Sequence, residues 1–281
     1  MLQESTLDKQ HAGKKIVDSD FMIWLKNRLH PLMMLLAGTV VTCKVDTINQ
    51  YTPLPDKPII FAANHSAFLD TPIALRAVQR RSYIFAGKQR LRFTDWLFFV
   101  LNGTIWVDRG SKEDMAASKD GLLGYLAKGQ SILWFPEGTW NLTANQLVMP
   151  LKWGIIETAR QAGAQIIPVA LDYNWEENHC KVKFGAPVSG SVLENKSEAI
   201  RNLRDTMATL RWDMMCQSPV LHRAEVTPEK LKAQMYRVLD AYPALEWERE
   251  RSYIYQPYEQ VALTPQALIP CWENAFLFRE R

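Results

Sequence analysis

The stretch from Pro58 to Asp70, PIIFAANHSAFLD, holds a histidine and a carboxylate at a spacing that suits acid–base chemistry. Ile59 to Ala63 is a short apolar run with a β-branched pair, which predicts a buried strand. Asn64 and His65 follow at once. A strand ending in histidine delivers an imidazole to the sheet edge, where α/β proteins hold their ligands. Asp70 stands five residues further on. On a helix that step is a rotation of about 140°, so the two side chains meet only across a turn. Thr71 and Pro72 read as an N-cap and a first helical residue, which predicts a tight loop over 66–69 and a helix from Pro72 to Gln79. A neutral imidazole is a base near pH 7, and a carboxylate on its other ring nitrogen fixes the tautomer and stabilises the imidazolium. Such a pair can draw a proton from a hydroxyl without a covalent serine or cysteine. The same residues also fit a plainer role, with Asp70 capping the helix and His65 an ordinary polar residue at a strand end.

Three more blocks follow in order: GTIWVDR at Gly103–Arg109, FPEGT at Phe135–Thr139 and IIPVA at Ile166–Ala170. With the histidine block they resemble the four sequence blocks of the glycerolipid acyltransferase family, whose best-known members are the lysophosphatidic acid acyltransferases. The resemblance runs from about Pro58 to Pro187. It implies an acyl thioester donor (acyl-CoA or acyl carrier protein), a lysophospholipid acceptor such as 1-acylglycerol-3-phosphate, and His65 with Asp70 as the catalytic pair. It also implies that Arg109 grips the acceptor's phosphate, a role its planar fork of donors suits. A salt bridge from Arg109 to Asp108 or Glu113 is the alternative. The candidate substrate-binding residues are Asn64, Arg109, Glu137, Gly138 and Thr139. Glu137 would accept hydrogen bonds from acceptor hydroxyls or orient Arg109. Gly138 would let backbone amides approach a developing oxyanion, with Thr139 beside it. No metal or organic cofactor is implied. Two departures bear on the acceptor: Ala67 stands where the family often has serine, and Trp140-Asn141 where arginine or serine is usual. A non-phosphorylated lipid or metabolite acceptor therefore stays open. So does a catalytically inactive lipid-binding protein, against which His65, Asp70 and Glu137 argue.

These residues need a scaffold. Apolar runs predict strands at Val40–Val45, Ile59–Ala63, Tyr83–Ala86, Gly103–Arg109, Ser131–Phe135, Ile166–Leu171 and Lys181–Phe184. Helical spacing covers Trp96–Leu101, Ser111–Lys128 before Gly129, Leu151–Ala162 before Gly163, and Ser197–Gln217. The alternation predicts an α/β fold with a mixed, mainly parallel sheet flanked by helices and the site at the strand ends. Trp96–Leu101 would be core or part of an acyl-chain tunnel. Lys88, Arg90 and Arg92 form a basic cluster that could neutralise a phosphate of donor or membrane, or be a solvated turn.

The organisation expected over 281 residues is a polar tail with interfacial helices (1–45), an acyltransferase domain (46–217) and an α-helical extension of open role (218–281). A net charge of +3 gives no reason to expect nucleic acid, and four cysteines far apart read as reduced thiols in the cytosol. Met1–Lys15 is polar and unlike a signal peptide. Phe21–Leu25 and Leu32–Cys43 are apolar, with Lys26, Arg28 and His30 between them. That pattern is too interrupted to span a bilayer. It predicts two short helices on a membrane surface, with Lys26 and Arg28 toward the head groups, or else a plain cover for the sheet. The first reading makes the protein peripheral, at the cytoplasmic face of a membrane.

Overall fold

The computed structural model describes residues 17–89, 91–141, 146–174 and 177–217, with Thr227, Glu229 and Ala233 beyond them. The expectations for the tail before Val17 and for the extension 218–281 lie outside the described residues, those three positions apart.

Seven strands, β1 (Lys44–Thr47), β2 (Ile59–Ala63), β3 (Ser82–Gly87), β4 (Thr104–Val107), β5 (Ser131–Trp134), β6 (Gln165–Asn174) and β7 (His179–Phe184), form one sheet in the order β1-β7-β6-β2-β5-β3-β4. The strands from β6 to β4 are parallel, β7 runs antiparallel to β6, and β1 runs parallel to β7. The central strands are apolar throughout because both faces are covered. In β2, Ile60 and Ala62 join a cluster with Leu122, Ile155 and Met207, while Ile59, Phe61 and Ala63 join another with Ile73, Leu75 and Phe99. The first face carries α4 (Lys112–Ala127), α5 (Gly154–Ala162) and α6 (Lys196–Met215). The second carries α2 (Asp70–Val78) and α3 (Phe93–Asn102). The expected mixed, mainly parallel α/β architecture is the one found.

The N-terminal segment differs from the expectation. One helix, α1 (Asp20–Val40), replaces the two short ones and runs through Pro31. Lysine and arginine are good helix formers, so the basic stretch does not break it. Ser19 caps the helix by accepting from the amide of Met22. Lys26 does not point outward: its ammonium lies 2.7 Å from Asp18, which also accepts from the Tyr83 hydroxyl at 2.7 Å. His30 is half-buried, and burial, with the charge of Arg81 next, lowers its pKa. Ile23, Met33 and Ala37 face inward, whereas Phe21, Trp24, Leu32 and Leu35 face out. Among the described residues no helix is long and apolar enough to cross a membrane.

Other boundaries shift by a few residues. β1 begins only at Lys44, because α1 extends to Val40. α5 starts at Gly154, since Leu151 to Trp153 form the turn that leads into it. Cys43, Cys180 and Cys216 are free thiols, and Cys271 lies outside the described residues.

Candidate active site

His65 and Asp70 meet. Nδ1 of His65 lies 2.8 Å from Oδ2 of Asp70, at the two ends of the predicted tight loop. The helix start does not fit the prediction. α2 begins at Asp70, and no side chain caps it, so Thr71 is not the N-cap. Oδ2 of Asp70 instead reaches back to the amides of Ser66 at 2.5 Å and Ala67 at 2.8 Å. The carboxylate thus holds the loop and the imidazole together, and it does not cap the helix. A carboxylate only accepts, so Nδ1 of His65 is the donor in this contact and Nε2 is the ring nitrogen away from Asp70.

The backbone of His65 is tied as firmly as its ring. Its amide donates to Oε1 of Glu137 at 2.7 Å, and its carbonyl accepts from the amide of Asn141 at 2.6 Å. The ring stacks on Phe135 at 4.3 Å between centroids, with the edge of Trp140 at 6.0 Å. Trp140, which marks a departure from the family pattern, is therefore a wall of the site.

Two of the candidate substrate-binding residues have other work. Asn64 is buried, accepting from the amide of Leu171 at 2.7 Å and donating to its carbonyl at 3.1 Å. It joins the end of β2 to β6 and does not face a substrate. Glu137 is buried as well, with Oε2 accepting from the amide of Met149 at 2.7 Å and Oε1 from His65. A carboxylate committed to two amides positions the His65 backbone rather than an acceptor hydroxyl. Burial pushes its pKa up to about 7 against the pull of those amides. The amide of Gly138 donates to the carbonyl of Phe135, closing a turn with proline second, so it is not an oxyanion donor.

Arg109, Gly138 and Thr139 do line the cleft beside His65. The cleft opens at the carboxyl ends of β2, β3, β4 and β5, the side where open α/β sheets bind ligands. A Cβ on Gly87 would sit 2.7 Å from Nη2 of Arg109, so glycine there leaves the guanidinium its present place. Asp108 and Glu113, the alternative partners for Arg109, are engaged inside the turn by the amide of Gly110 and the hydroxyl of Ser111. Lys88 also lines the cleft, 3.6 Å from the buried Asp114. Arg92 pairs instead with Asp95 at 3.0 Å, and Arg90 lies outside the described residues. On α3 only Phe99 faces the cleft, while Trp96, Leu97, Val100 and Leu101 point away from the core.

Lys152 is a site residue that the sequence reading passed over. Its side chain lies over Gly138, 3.1 Å from where a Cβ would stand, and Gly138 keeps φ at +81°. Burial, and then the nearby charge of Arg109, lowers its pKa to about 8. A signal was available: Lys152 is the single charged residue between Leu147 and Ile156. Lys152 and Arg109 are thus two cations near enough to feel each other, with Gly138 of the cleft wall against the lysine, an arrangement that attracts an anion.

An α/β sandwich with a histidine–aspartate pair and a cationic cleft at its strand ends has the parts of a group-transfer enzyme. Residues 44–172 match the Acyltransferase family model, so this part of the chain is similar to the acyltransferases that the model describes. It is 31% identical over 139 residues to a 1-acyl-sn-glycerol-3-phosphate acyltransferase of Chlamydomonas reinhardtii, covering 48% of this chain and 40% of that one. With the enzyme of that name from Neisseria gonorrhoeae it shares 32% identity over 126 residues, 43% of this chain and 47% of the relative. The chain thus spans less than half the length of these relatives. The crystal structure of the 1-acyl-sn-glycerophosphate acyltransferase PlsC from Thermotoga maritima has the same fold, with a TM-score of 0.54 at 16% identity over 69% of this chain and 87% of that one.

Proposed function

We propose that the protein moves a fatty acyl group from acyl-CoA or acyl carrier protein to the free hydroxyl of 1-acylglycerol-3-phosphate. The observation that carries this reading is the His65 ring, held through Nδ1 by Asp70 and open to a cleft that also holds Arg109. Nε2 takes the hydroxyl proton as the oxygen attacks the thioester carbonyl. The tetrahedral intermediate collapses with loss of the thiolate, which recovers the proton from the imidazolium. Asp70 stabilises that cation meanwhile, and the proton balance closes with no covalent enzyme intermediate and no cofactor. General base catalysis of this kind supplies roughly 10²–10⁴-fold. Arg109 and Lys152 hold the acceptor's phosphate. The donor carrier, the lysophospholipid and the membrane are the partners in this reading.

The membrane contact in this reading is peripheral, at the cytoplasmic face, through the outer sides of α1 and α3. The two helices pack together, and their outer residues include Leu35 at 70% and Phe93 at 72% exposed, with Trp24 and Trp96 beside them. An apolar face with interfacial tryptophans, next to a helix that lines the cleft, suits docking on lipid. The test is a labelled acyl donor offered with a panel of lysolipids. Transfer to the phosphorylated acceptor, lost by at least two orders of magnitude in folded His65→Ala, is the expected result. An active His65→Ala enzyme would remove the base.

A further inference from the structure

The contacts of Asp70 are one-sided. His65 and the amides of Ser66 and Ala67 all meet Oδ2, while Oδ1 is buried away from them. Half of the carboxylate charge rests on that second oxygen, and burying an acceptor unmatched costs about 1–3 kcal/mol. Strand β6 supplies a donor. Leu171 and Tyr173 project from it into the cluster that includes α2, whose first residue is Asp70. The hydroxyl of Tyr173 is itself buried and faces the Asp70 carboxylate, near enough for the two groups to interact. Burial, and then the charge of Asp70, push this phenol well above its ordinary pKa, so it keeps its proton. Facing a carboxylate that can only accept, the hydroxyl donates.

We propose that Tyr173 is a positioning residue for the catalytic pair: its hydroxyl donates to Oδ1 of Asp70 and locks the carboxylate that orients His65. The order His65, Asp70, Tyr173 then runs from the cleft into the protein, with one side chain fixing the next. This inference rests on His65 being the base. The other titratable groups facing Asp70 are the Cys43 and Cys180 thiols and Glu137. Burial pushes both thiols up, so they stay neutral where the enzyme is assayed. Arg76 faces Cys43 and Asp172 faces Cys180, and each is common to all variants below, as is Glu137.

Tyr173→Phe removes one oxygen and keeps the ring. With acyl-CoA and 1-acylglycerol-3-phosphate as substrates, kcat should fall roughly tenfold, with both KM values within about twofold of wild type. The acid limb of the kcat–pH profile should move to higher pH. Asp70 no longer shares its charge with the phenol and holds the imidazolium more strongly. A purely structural tyrosine would not move that limb. The second variant carries 3-fluorotyrosine at position 173, which keeps the packing and the hydroxyl but makes it a stronger donor. Its acid limb should move the opposite way, to lower pH, and this arm decides if Tyr173→Phe does not fold. Profiles of the folded variants that superimpose on wild type overturn the proposal while leaving the base reading intact. A folded His65→Ala enzyme with undiminished transfer overturns both.

Discussion

Replacing Glu137 by glutamine tests how His65 is held, and its effect should depend on pH in a defined direction. Both carboxylate oxygens accept backbone amides at 2.7 Å, from His65 and from Met149. A glutamine offers one oxygen and one NH2, so one of these amides loses its acceptor and faces a donor. Losing one hydrogen bond to a buried charged group costs about 1.5–3 kcal/mol. Against this stands the burial of the charge. The folded-state pKa is raised from 4.5 to about 7, so in that window the folded state binds the extra proton and wild-type stability falls as pH rises. At about 1.4 kcal/mol per pH unit, Glu137 removes about 3 kcal/mol of stability between pH 4.5 and 7. Glutamine does not titrate. Near pH 5 the protonated Glu137 presents the same oxygen-and-donor pair as glutamine, so Glu137→Gln should cost little there, and the comparison should move in the variant's favour by about that amount by pH 8. Urea unfolding of both proteins at the two pH values measures the difference. A gap that stays constant with pH would show that burial does not govern this carboxyl and refute the reasoning. Activity supplies a second readout: kcat should fall in the variant because the His65 amide has lost its anchor.

Asp70→Asn should lower kcat by orders of magnitude, because an amide NH2 at Oδ2 favours the wrong tautomer and repels the amides of Ser66 and Ala67; a near-normal rate would dismiss the pair. Arg109→Lys should raise the acceptor's KM with little change in the donor's, since lysine cannot present a paired fork; equal wild-type kinetics with phosphorylated and non-phosphorylated acceptors would remove the role. Lys152 should lose its charge above about pH 8, so acceptor KM should climb between pH 7 and 9 in wild type and stay level in Lys152→Arg; parallel curves would exclude it from the anion seat. Leu35→Glu with Phe93→Glu should release the protein from anionic vesicles with the fold retained, because both side chains face out. Undiminished sedimentation would move the membrane contact elsewhere.

Residues that act through side chains close in sequence were legible. His65 and Asp70 stand five apart and declare themselves by type, and the strand before them is apolar on both faces because helices cover both. Residues that act through the backbone of a distant segment were not. Asn64 and Glu137 have the polarity of substrate ligands, and nothing in their spacing says that their partners are the amides of Leu171, His65 and Met149. The basic run of α1 misled for a related reason. Lys26 has its partner in Asp18, eight residues before it, and a charge that finds a half-buried partner neither breaks a helix nor seeks a head group.

The sheet also divides the labour between its two faces. On the α4–α6 face, Arg204 and Arg211 of α6 donate to the carbonyls of Val148 at 3.0 Å and Leu147 at 2.6 Å. They fix the loop whose Met149 amide holds Glu137, which in turn holds His65. His65 is thus set from behind by a helix that never meets the cleft. On the opposite face, α3 turns Phe99 into the cleft and leaves Phe93, Trp96 and Leu97 outside, so one helix is both wall and outer surface. In the proposed function a lipid acceptor would pass from that surface into the cleft along a single helix. Substitutions on α6 should then act on kcat through the position of His65, and substitutions on the outer side of α3 on apparent KM for vesicle-borne acceptor. The two faces separate chemistry from access because the strands that carry the site lie between them.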